Sequence, residues 1–260
     1  MQTAASLPRG DKVFLLVALG SIVGLAWVYL LLHASQMSMD GAGHAMMGMT
    51  GVAWSASHAA LTAAMWAVMM LAMMLPSATP MILTYATVVR RMRRDRNAHP
   101  QIAIFVAGYV LVWSAFSLGA TALQWLLEHL TLLSPTLLTS SRWLGGGLLI
   151  VAGAYQLLPV KEFCLRHCQS PLQFLTGHWR SGRKGALRLG VLHGAYCVGC
   201  CWALMLLLFV GGVMNLLWVA AIAGFVLLEK LMSSYGAFGR WVSGGGLVAA
   251  GLLMLAIETP

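Results

Sequence analysis

The stretch that decides the fold is 189–228, LGVLHGAYCVGCCWALMLLLFVGGVMNLLWVAAIAGFVLL, which lies between Arg188 and Glu229. Its 40 residues include no Lys, Arg, Asp or Glu. At 1.5 Å per residue it makes about 60 Å of helix, enough for two crossings of a ~30 Å hydrocarbon core. The pair Gly211-Gly212 is the natural hairpin between them. This stretch therefore predicts membrane-spanning helices.

The composition of the whole chain agrees with this prediction. Of its 260 residues, 60% are hydrophobic and 9% are charged, whereas soluble domains have about 45–50% apolar and about 25% charged residues. So few charges cannot cover a water-soluble fold, which excludes an ordinary soluble enzyme, a disordered chain and a nucleic-acid-binding module. Five cysteines are also too few for a disulfide scaffold.

Outward from the central stretch, we predict an all-α polytopic bundle, since helices satisfy their own backbone groups in lipid. It forms one membrane domain over 1–260, with a Met/His-rich outer loop at 33–58 and a basic, Cys-containing inner loop at 160–188. The first span exceeds a signal-peptide core in length and is expected to be retained. The seven predicted spans are Val13–Leu32, Ala59–Leu83, Ile102–Leu127, Trp143–Pro159, Leu189–Val210, Val213–Leu228 and Trp241–Ile257.

The basic residues indicate the orientation. With the N-terminus inside, 15 of the 16 Lys and Arg residues fall in inner segments and only Arg142 falls outside, as the positive-inside rule requires. The net charge of +9 then reflects the orientation of the chain in the membrane. The run Arg90–Arg96 is expected to anchor the chain to membrane lipid. The expected location is the bacterial inner membrane.

The strongest candidate site lies in the fifth span. On a helix, His193, Cys197, Cys200 and Cys201 fall within one arc of about 100°, but they extend over about 12 Å of axis. Two or three of them could bind one ion, particularly if Gly194 and Gly199 let another helix come close. Thiolate and imidazole suit Cu(I) or Zn(II). The alternative is that these cysteines are ordinary packing residues.

Methionines form two further candidate sites. The outer loop offers a set of thioethers and one imidazole that would capture Cu(I), unless it is simply a flexible loop or an amphipathic segment on the bilayer. In the second span Met65, Met69 and Met73 form one line along the helix, and Met70 and Met74 form a neighbouring line. These could pass a soft ion inward or merely fill the core, and Pro76 and Pro80 are expected to kink or end this span. The outer-loop residues are Met37, Met39, His44, Met46, Met47 and Met49.

The inner side carries the remaining candidate groups. Cys164 and Cys168 are spaced i, i+4, so a helix would place both thiols on one face, with His167 beside them. They could receive a metal ion, form a redox pair, or be ordinary loop cysteines. Glu229, next to Lys230, could bind metal or protons near His193, or simply mark the end of a span.

Three stretches resemble the domain-of-unknown-function 2182 family of bacterial integral membrane proteins. They are Met65–Pro80 (MWAVMMLAMMLPSATP), Lys161–Leu175 (KEFCLRHCQSPLQFL) and Gly185–Lys230, which holds the central stretch. That family is described as metal-binding and sometimes labelled copper chaperones. The resemblance implies metal, and copper in particular, but no mechanism. The Met-rich outer loop is outside the family pattern.

We therefore expect a membrane protein that binds, transports or delivers copper as Cu(I), with zinc or haem as less favoured occupants. Its partners would be membrane lipid and a copper-dependent membrane or periplasmic protein. No motif for ATP binding or hydrolysis occurs, and an enzyme is the less favoured reading. Two alternatives stay open: a membrane thiol or haem redox protein, and an assembly subunit in which Met and Cys only pack.

Overall fold

The computed structural model describes residues 7–46, 54–92, 98–133, 139, 141–232 and 236–257, and all regular elements in these ranges are helical. For 37–46 and 236–237 only the path of the backbone is described. This confirms the all-α class. The helices are α1 Arg9–Met46, α2 Ala56–Met92, α3 His99–His129, α4 Arg142–Leu157, α5 Pro159–Gln169, α6 Pro171–His178, α7 Gly182–Leu206, α8 Leu208–Gly211, α9 Leu216–Leu231 and α10 Gly236–Ala256.

Five helical segments in the described ranges are long and apolar enough to cross a membrane, as expected for a membrane protein. They include the predicted first, second, third, fifth and seventh spans. The fourth qualifies only together with α5, from which α4 is bent by 66°. The predicted sixth span is α9, whose 16 residues reach about 24 Å. A count of seven spans thus remains a prediction.

The two long helices near the N-terminus extend beyond their predicted spans. α1 continues through Met46, into the segment expected to be a loop, and α2 continues past Pro76 and Pro80 to Met92. A break in α2 would leave backbone groups unsatisfied in an apolar environment, so the helix persists. The Met74 carbonyl also accepts hydrogen bonds from Ser77 Oγ at 2.9 Å and Tyr109 OH at 3.1 Å.

Salt bridges join segments that the sequence predicts to lie on the inner side. Asp11 pairs with Arg90, joining the start of α1 to the end of α2, and we call this end of the bundle the basic end. Glu162 of α5 pairs with Arg240 of α10 at 2.8 Å. At the end opposite Asp11 and Arg90, Trp54 Nε1 donates to Glu128 Oε2 at 2.7 Å.

Glycines bring the helices close together around α7. A methyl group added at Gly108 of α3 would lie 2.6 Å from the Leu187 carbonyl oxygen, and one at Gly190 of α7 would collide with the Phe105 carbonyl. α4 and α10 meet in the same way, because a methyl group at Gly153 would lie 2.6 Å from the Gly244 carbonyl. Small residues at helix crossings are the usual means of close packing in membranes. Gly108 and Gly190 let α7 pack closely against α3, and α7 carries three of the five cysteines.

Candidate metal centre

The thiols of the chain gather around α7, three on that helix and two on α5, which packs against it. All five cysteines are free. Cys197, Cys200 and Cys201 lie on α7, and each is about 1% exposed. Cys164 and Cys168 of α5 are half-buried. The i, i+3 and i, i+4 spacings give these thiols one face on each helix, as predicted, and the packing of α5 against α7 then turns the two faces toward each other.

Gly199 makes this approach possible. A methyl group added at Gly199 would lie 2.8 Å from Cys164 Sγ, so α5 packs where a larger residue would not fit. Tyr155 of α4 donates a hydrogen bond to the Gly199 carbonyl. Gly194 plays the matching role toward α3, where a methyl group would lie 2.9 Å from Val112. The expectation that these two glycines admit neighbouring helices agrees with this geometry.

Cys200 is at the centre of the thiol cluster. Its thiol lies close enough to that of Cys168, which comes from the other helix, for the two to interact electrostatically. Its own Sγ also bonds to the Cys197 carbonyl at 3.1 Å. A pair of sulfur atoms from two helices is a donor set that Cu(I) accepts, because thiolate is a soft ligand. The sequence placed Cys164 and Cys168 on the inner side but could not show that they meet Cys200.

Cys197 faces a buried cation. Lys230 Nζ of α9 lies 2.9 Å from Cys197 Sγ and 3.0 Å from Ser77 Oγ of α2. The hydroxyl of Tyr109 on α3 lies 3.1 Å from the same sulfur. Three other helices, α2, α3 and α9, thus contribute to the surroundings of this one thiol. A charge in such a place needs a partner, and the ammonium group is placed to be the counter-ion of a thiolate.

The neighbouring residue Glu229 is engaged elsewhere. Its Oε2 accepts from Lys161 Nζ at 2.7 Å, and its Oε1 accepts from Gln156 Nε2 at 2.5 Å. Gln169 Nε2 also donates to the Glu229 backbone carbonyl at 2.7 Å. Oε2 is therefore held in a buried ion pair between α5 and α9, and Oε1 is held by a hydrogen bond from α4. The predicted metal or proton role of Glu229 near His193 stays a prediction.

His193 lies one turn from Cys197 among aromatic rings. The imidazole is 2% exposed, and its ring centroid lies 5.5 Å from Tyr109, 5.7 Å from Phe174 and 6.2 Å from Phe105. Its Nδ1 has no hydrogen-bond partner in the described part of the chain. A buried nitrogen without a partner is costly, so this imidazole retains an unused donor or acceptor position at the edge of the thiol cluster.

The methionine that reaches the thiols belongs to the second line of α2. Met74 Sδ lies 3.9 Å from Cys201 Sγ, whose thiol is directed at it. The residues of the first line, Met65, Met69 and Met73, are buried at 3%, 1% and 1% exposure. Both lines lie in the core, as a helix buried between neighbours requires. Spacing along α2 could not predict which methionine line faces the thiols, because that depends on how α2 is rotated against α7.

The other predicted ligands lie apart from the cluster or outside the described residues. His167 is half-buried, stacks on Tyr196 with ring centroids 4.3 Å apart, and has Nδ1 2.8 Å from the Phe163 carbonyl. The side chains of Met37, Met39, His44 and Met46, and the whole of Met47 and Met49, fall outside what the structure describes.

Across the described ranges, no three His, Cys, Asp or Glu residues are arranged as a group that could hold a metal ion. The donors meet as pairs instead, Cys168 with Cys200 and Cys201 with Met74. Sequence reasoning missed the lysine, tyrosine and serine beside Cys197. The one sequence signal for Lys230 is a cation in the last turn of an apolar helix, and such a residue can also simply mark the end of a span.

Comparison with known proteins gives one family. The model of the PpoB2 family, described as copper chaperone, matches residues 63–254. The matched range includes all five cysteines, His193, Lys230 and both methionine lines of α2. It begins after the Met/His-rich segment at 33–58. No curated protein and no solved structure is detectably similar to the chain.

Proposed function

Because the chain belongs to this copper chaperone family, which corresponds to the domain-of-unknown-function 2182 family, we propose that it binds Cu(I) in the membrane and delivers it. The recipient would be a copper-dependent membrane or periplasmic protein. The bacterial inner membrane is the proposed location. The observation that carries this proposal is the convergence of all five thiols on one buried region.

The chemistry of the cluster supports Cu(I) rather than Zn(II). Cu(I) is a soft ion that prefers thiolate and thioether ligands, whereas protein-bound zinc is almost always four-coordinate. The described residues offer sulfur atoms in pairs. Cys200 and Cys168 would be the first pair of ligands, with Cys197 and Cys164 close enough to exchange with them. His193 offers its Nδ1 as a further donor at the same level of the bundle.

The charges around the cluster also fit a monovalent ion. Two thiolates and one Cu(I) leave a single negative charge. Lys230, 2.9 Å from Cys197 Sγ, is placed to neutralise it. Lys161 is the second buried cation nearby, but Glu229 already neutralises that one. A buried charge is tolerated when it is paired, so the site is balanced for one Cu(I) held by two thiolates.

The Met/His-rich segment at 33–58 would supply the copper. Thioethers bind Cu(I) and remain usable where thiols would oxidise. α1 and α2 carry this segment at the end of the bundle opposite the basic end. Copper would therefore travel along the bundle from the Met/His segment to the thiols, and His167 would lie near the point where α5 meets the solvent.

The proposal is tested by anaerobic Cu(I) titration of the purified protein against a Cu(I) chelator. Wild type is expected to hold copper at chelator concentrations that strip it from Cys200→Ser and Cys168→Ser. His129→Ala is the control, since His129 lies on the exposed end of α3 and stacks on Trp125. Equal copper retention by wild type and both serine variants would contradict the proposed site. A Cys168–Cys200 disulfide that forms and reopens with no bound copper would instead support thiol exchange.

A further inference from the structure

The geometry points to a second Cu(I) site, formed by Met74 Sδ and Cys201 Sγ: we propose that it receives copper before the Cys168/Cys200 pair does. This inference rests on the proposed function and adds a specific step to it. The two sulfur atoms belong to different helices, α2 and α7, and lie on the side of the cluster away from α5.

The two sulfur atoms are spaced as ligands of one ion. They lie 3.9 Å apart, and both residues are buried, at 0% and 1% exposure. Bonds between zinc and cysteine sulfur, a close guide to Cu(I), are about 2.3 Å, and two such bonds opened at about 120° separate their sulfur atoms by about 4 Å. A trigonal Cu(I) fits this separation. Cys197, whose backbone carbonyl accepts a hydrogen bond from Cys201 Sγ at 3.0 Å, would fill the third position.

A continuous buried line leads to this pair from the opposite end. Trp66, Met70 and Met74 are spaced i, i+4, i+8 on α2, so they lie along one face over about 12 Å. The exposures of the three are 1%, 0% and 0%. Trp66 Nε1 donates to Gln124 Oε1 at 2.7 Å, and Gln124 Nε2 donates to Glu128 Oε1 at 2.8 Å. The line therefore begins at a carboxylate on α3.

A cavity lies beside this carboxylate end. It has a volume of about 560 Å³ and lies between the first turns of α2 and the last turns of α3. Its walls include Trp54, which bonds to Glu128, and Thr121, one turn from Gln124. A partly buried carboxylate beside an open cavity attracts cations, and two thioethers below it select a soft one.

The transfer itself is a ligand exchange. Cu(I) held by Met74 and Cys201 would gain a bond to the Cys200 thiolate as its bond to the Met74 thioether breaks. A bond to Cys168 would then form as the bond to Cys201 breaks, and the proton of the Cys168 thiol would pass to the Cys201 thiolate. The copper stays monovalent and no electron is transferred. A neutral thioether is a weaker ligand than a thiolate, so the exchange proceeds toward the cysteines, which is the order that delivery requires.

The test labels the methionines with selenomethionine and measures Cu K-edge X-ray absorption of the whole protein. Loading with two equivalents of Cu(I) fills the weaker Met74/Cys201 site as well as the Cys168/Cys200 pair. We expect a copper–selenium distance in wild type that disappears in Met74→Leu and persists in Met73→Leu, the matched control on the neighbouring line. The time needed to load the protein should also lengthen in Met74→Leu. Because Leu conserves most of the volume of Met, this variant is expected to fold.

The outcomes separate this inference from the proposed function. Copper bound through sulfur alone in wild type, or a copper–selenium signal unchanged in Met74→Leu, would overturn the second site and leave the cysteine site intact. A wild type that binds no Cu(I) would overturn the proposed function itself. Should Met74→Leu fail to fold, Cys201→Ser provides the same test, since losing either sulfur must remove the copper–selenium signal.

Discussion

At the scale of single residues, two buried lysines have different roles. Lys161 is fully buried and pairs with Glu229, while Lys230, 6% exposed, contacts Cys197 and Ser77. Both lie near the same thiols, yet only one has a carboxylate as its counter-ion. We infer that Lys161 maintains the packing of α5 on α9 and that Lys230 acts on the copper site. The two can therefore be separated by substitution.

Replacing Lys161 with Met is expected to destabilise the protein by about 3–5 kcal/mol, the usual cost of leaving one member of a buried ion pair unpaired. Thermal unfolding in detergent measures this loss. The double variant Lys161→Met/Glu229→Met should recover most of it, because no buried charge is then unpaired. A double variant no more stable than Lys161→Met would show that the pair is not the cause.

Replacing Lys230 with Met is expected to lower Cu(I) affinity by about tenfold to a hundredfold, the range typical of groups that support metal ligands. The physical reason is that the bound copper–dithiolate group would keep an unbalanced negative charge. Chelator competition measures the affinity. Lys230→Arg, which keeps the positive charge, is the comparison: if it lowers copper affinity as much as Lys230→Met does, the charge of Lys230 is not what supports the copper.

At the scale of helices, the site depends on how closely α5 can approach α7. Gly199 is the contact point, since a methyl group there would lie 2.8 Å from Cys164 Sγ. The salt bridge of Glu162 with Arg240 and that of Lys161 with Glu229 hold α5 from its other sides. The bend of 66° between α4 and α5 sets the direction from which Cys164 and Cys168 arrive.

Gly199→Ala is expected to move α5 outward and weaken the contact between Cys168 and Cys200. Cu(I) affinity should fall while the rest of the bundle stays folded, because only the flexible Cys164 side chain is in the way. Gly224→Ala is the control, since a methyl group there meets nothing within 4 Å. Unchanged copper affinity in Gly199→Ala, together with normal folding, would show that the closeness of α5 does not matter.

At the scale of the whole molecule, the chain separates its chemistry between two ends. The salt bridge of Asp11 with Arg90 joins two basic segments at one end, and the thiols lie near the middle of α2, where Met74 meets Cys201. The Glu128 network and the cavity lie at the other end. A protein that moves copper along its axis needs this polarity, because capture and release must occur at different surfaces.

The number of crossings can be tested with reporter fusions in a bacterial host. Alkaline phosphatase fused after Trp179 is expected to be inactive, and after Met214 active, since the enzyme folds only outside the cytoplasm. A fusion after Met232 should again be inactive if α9 spans the membrane. Equal activity after Met214 and Met232 would show that the 16 residues of α9 do not cross.

Local patterns in the chain are enough to predict a helical membrane architecture and the candidate donors. Apolar runs of sufficient length have only one way to satisfy their backbone groups in lipid, so the absence of charge over 189–228 was decisive. Helical spacing also put Cys197, Cys200 and Cys201 on one face before any fold was known. These are local properties, fixed by a residue and its neighbours within two turns.

Which donors meet depends on how the helices pack. That Cys168 lies near Cys200, that Met74 rather than Met73 reaches Cys201, and that Lys230 turns inward to Cys197 all depend on helix rotation and crossing distance. Those quantities are set by contacts between residues far apart in the chain, such as Gly199 with Cys164. Spacing along one helix specifies a face but not its partner, which is why the pairing could not be predicted from sequence.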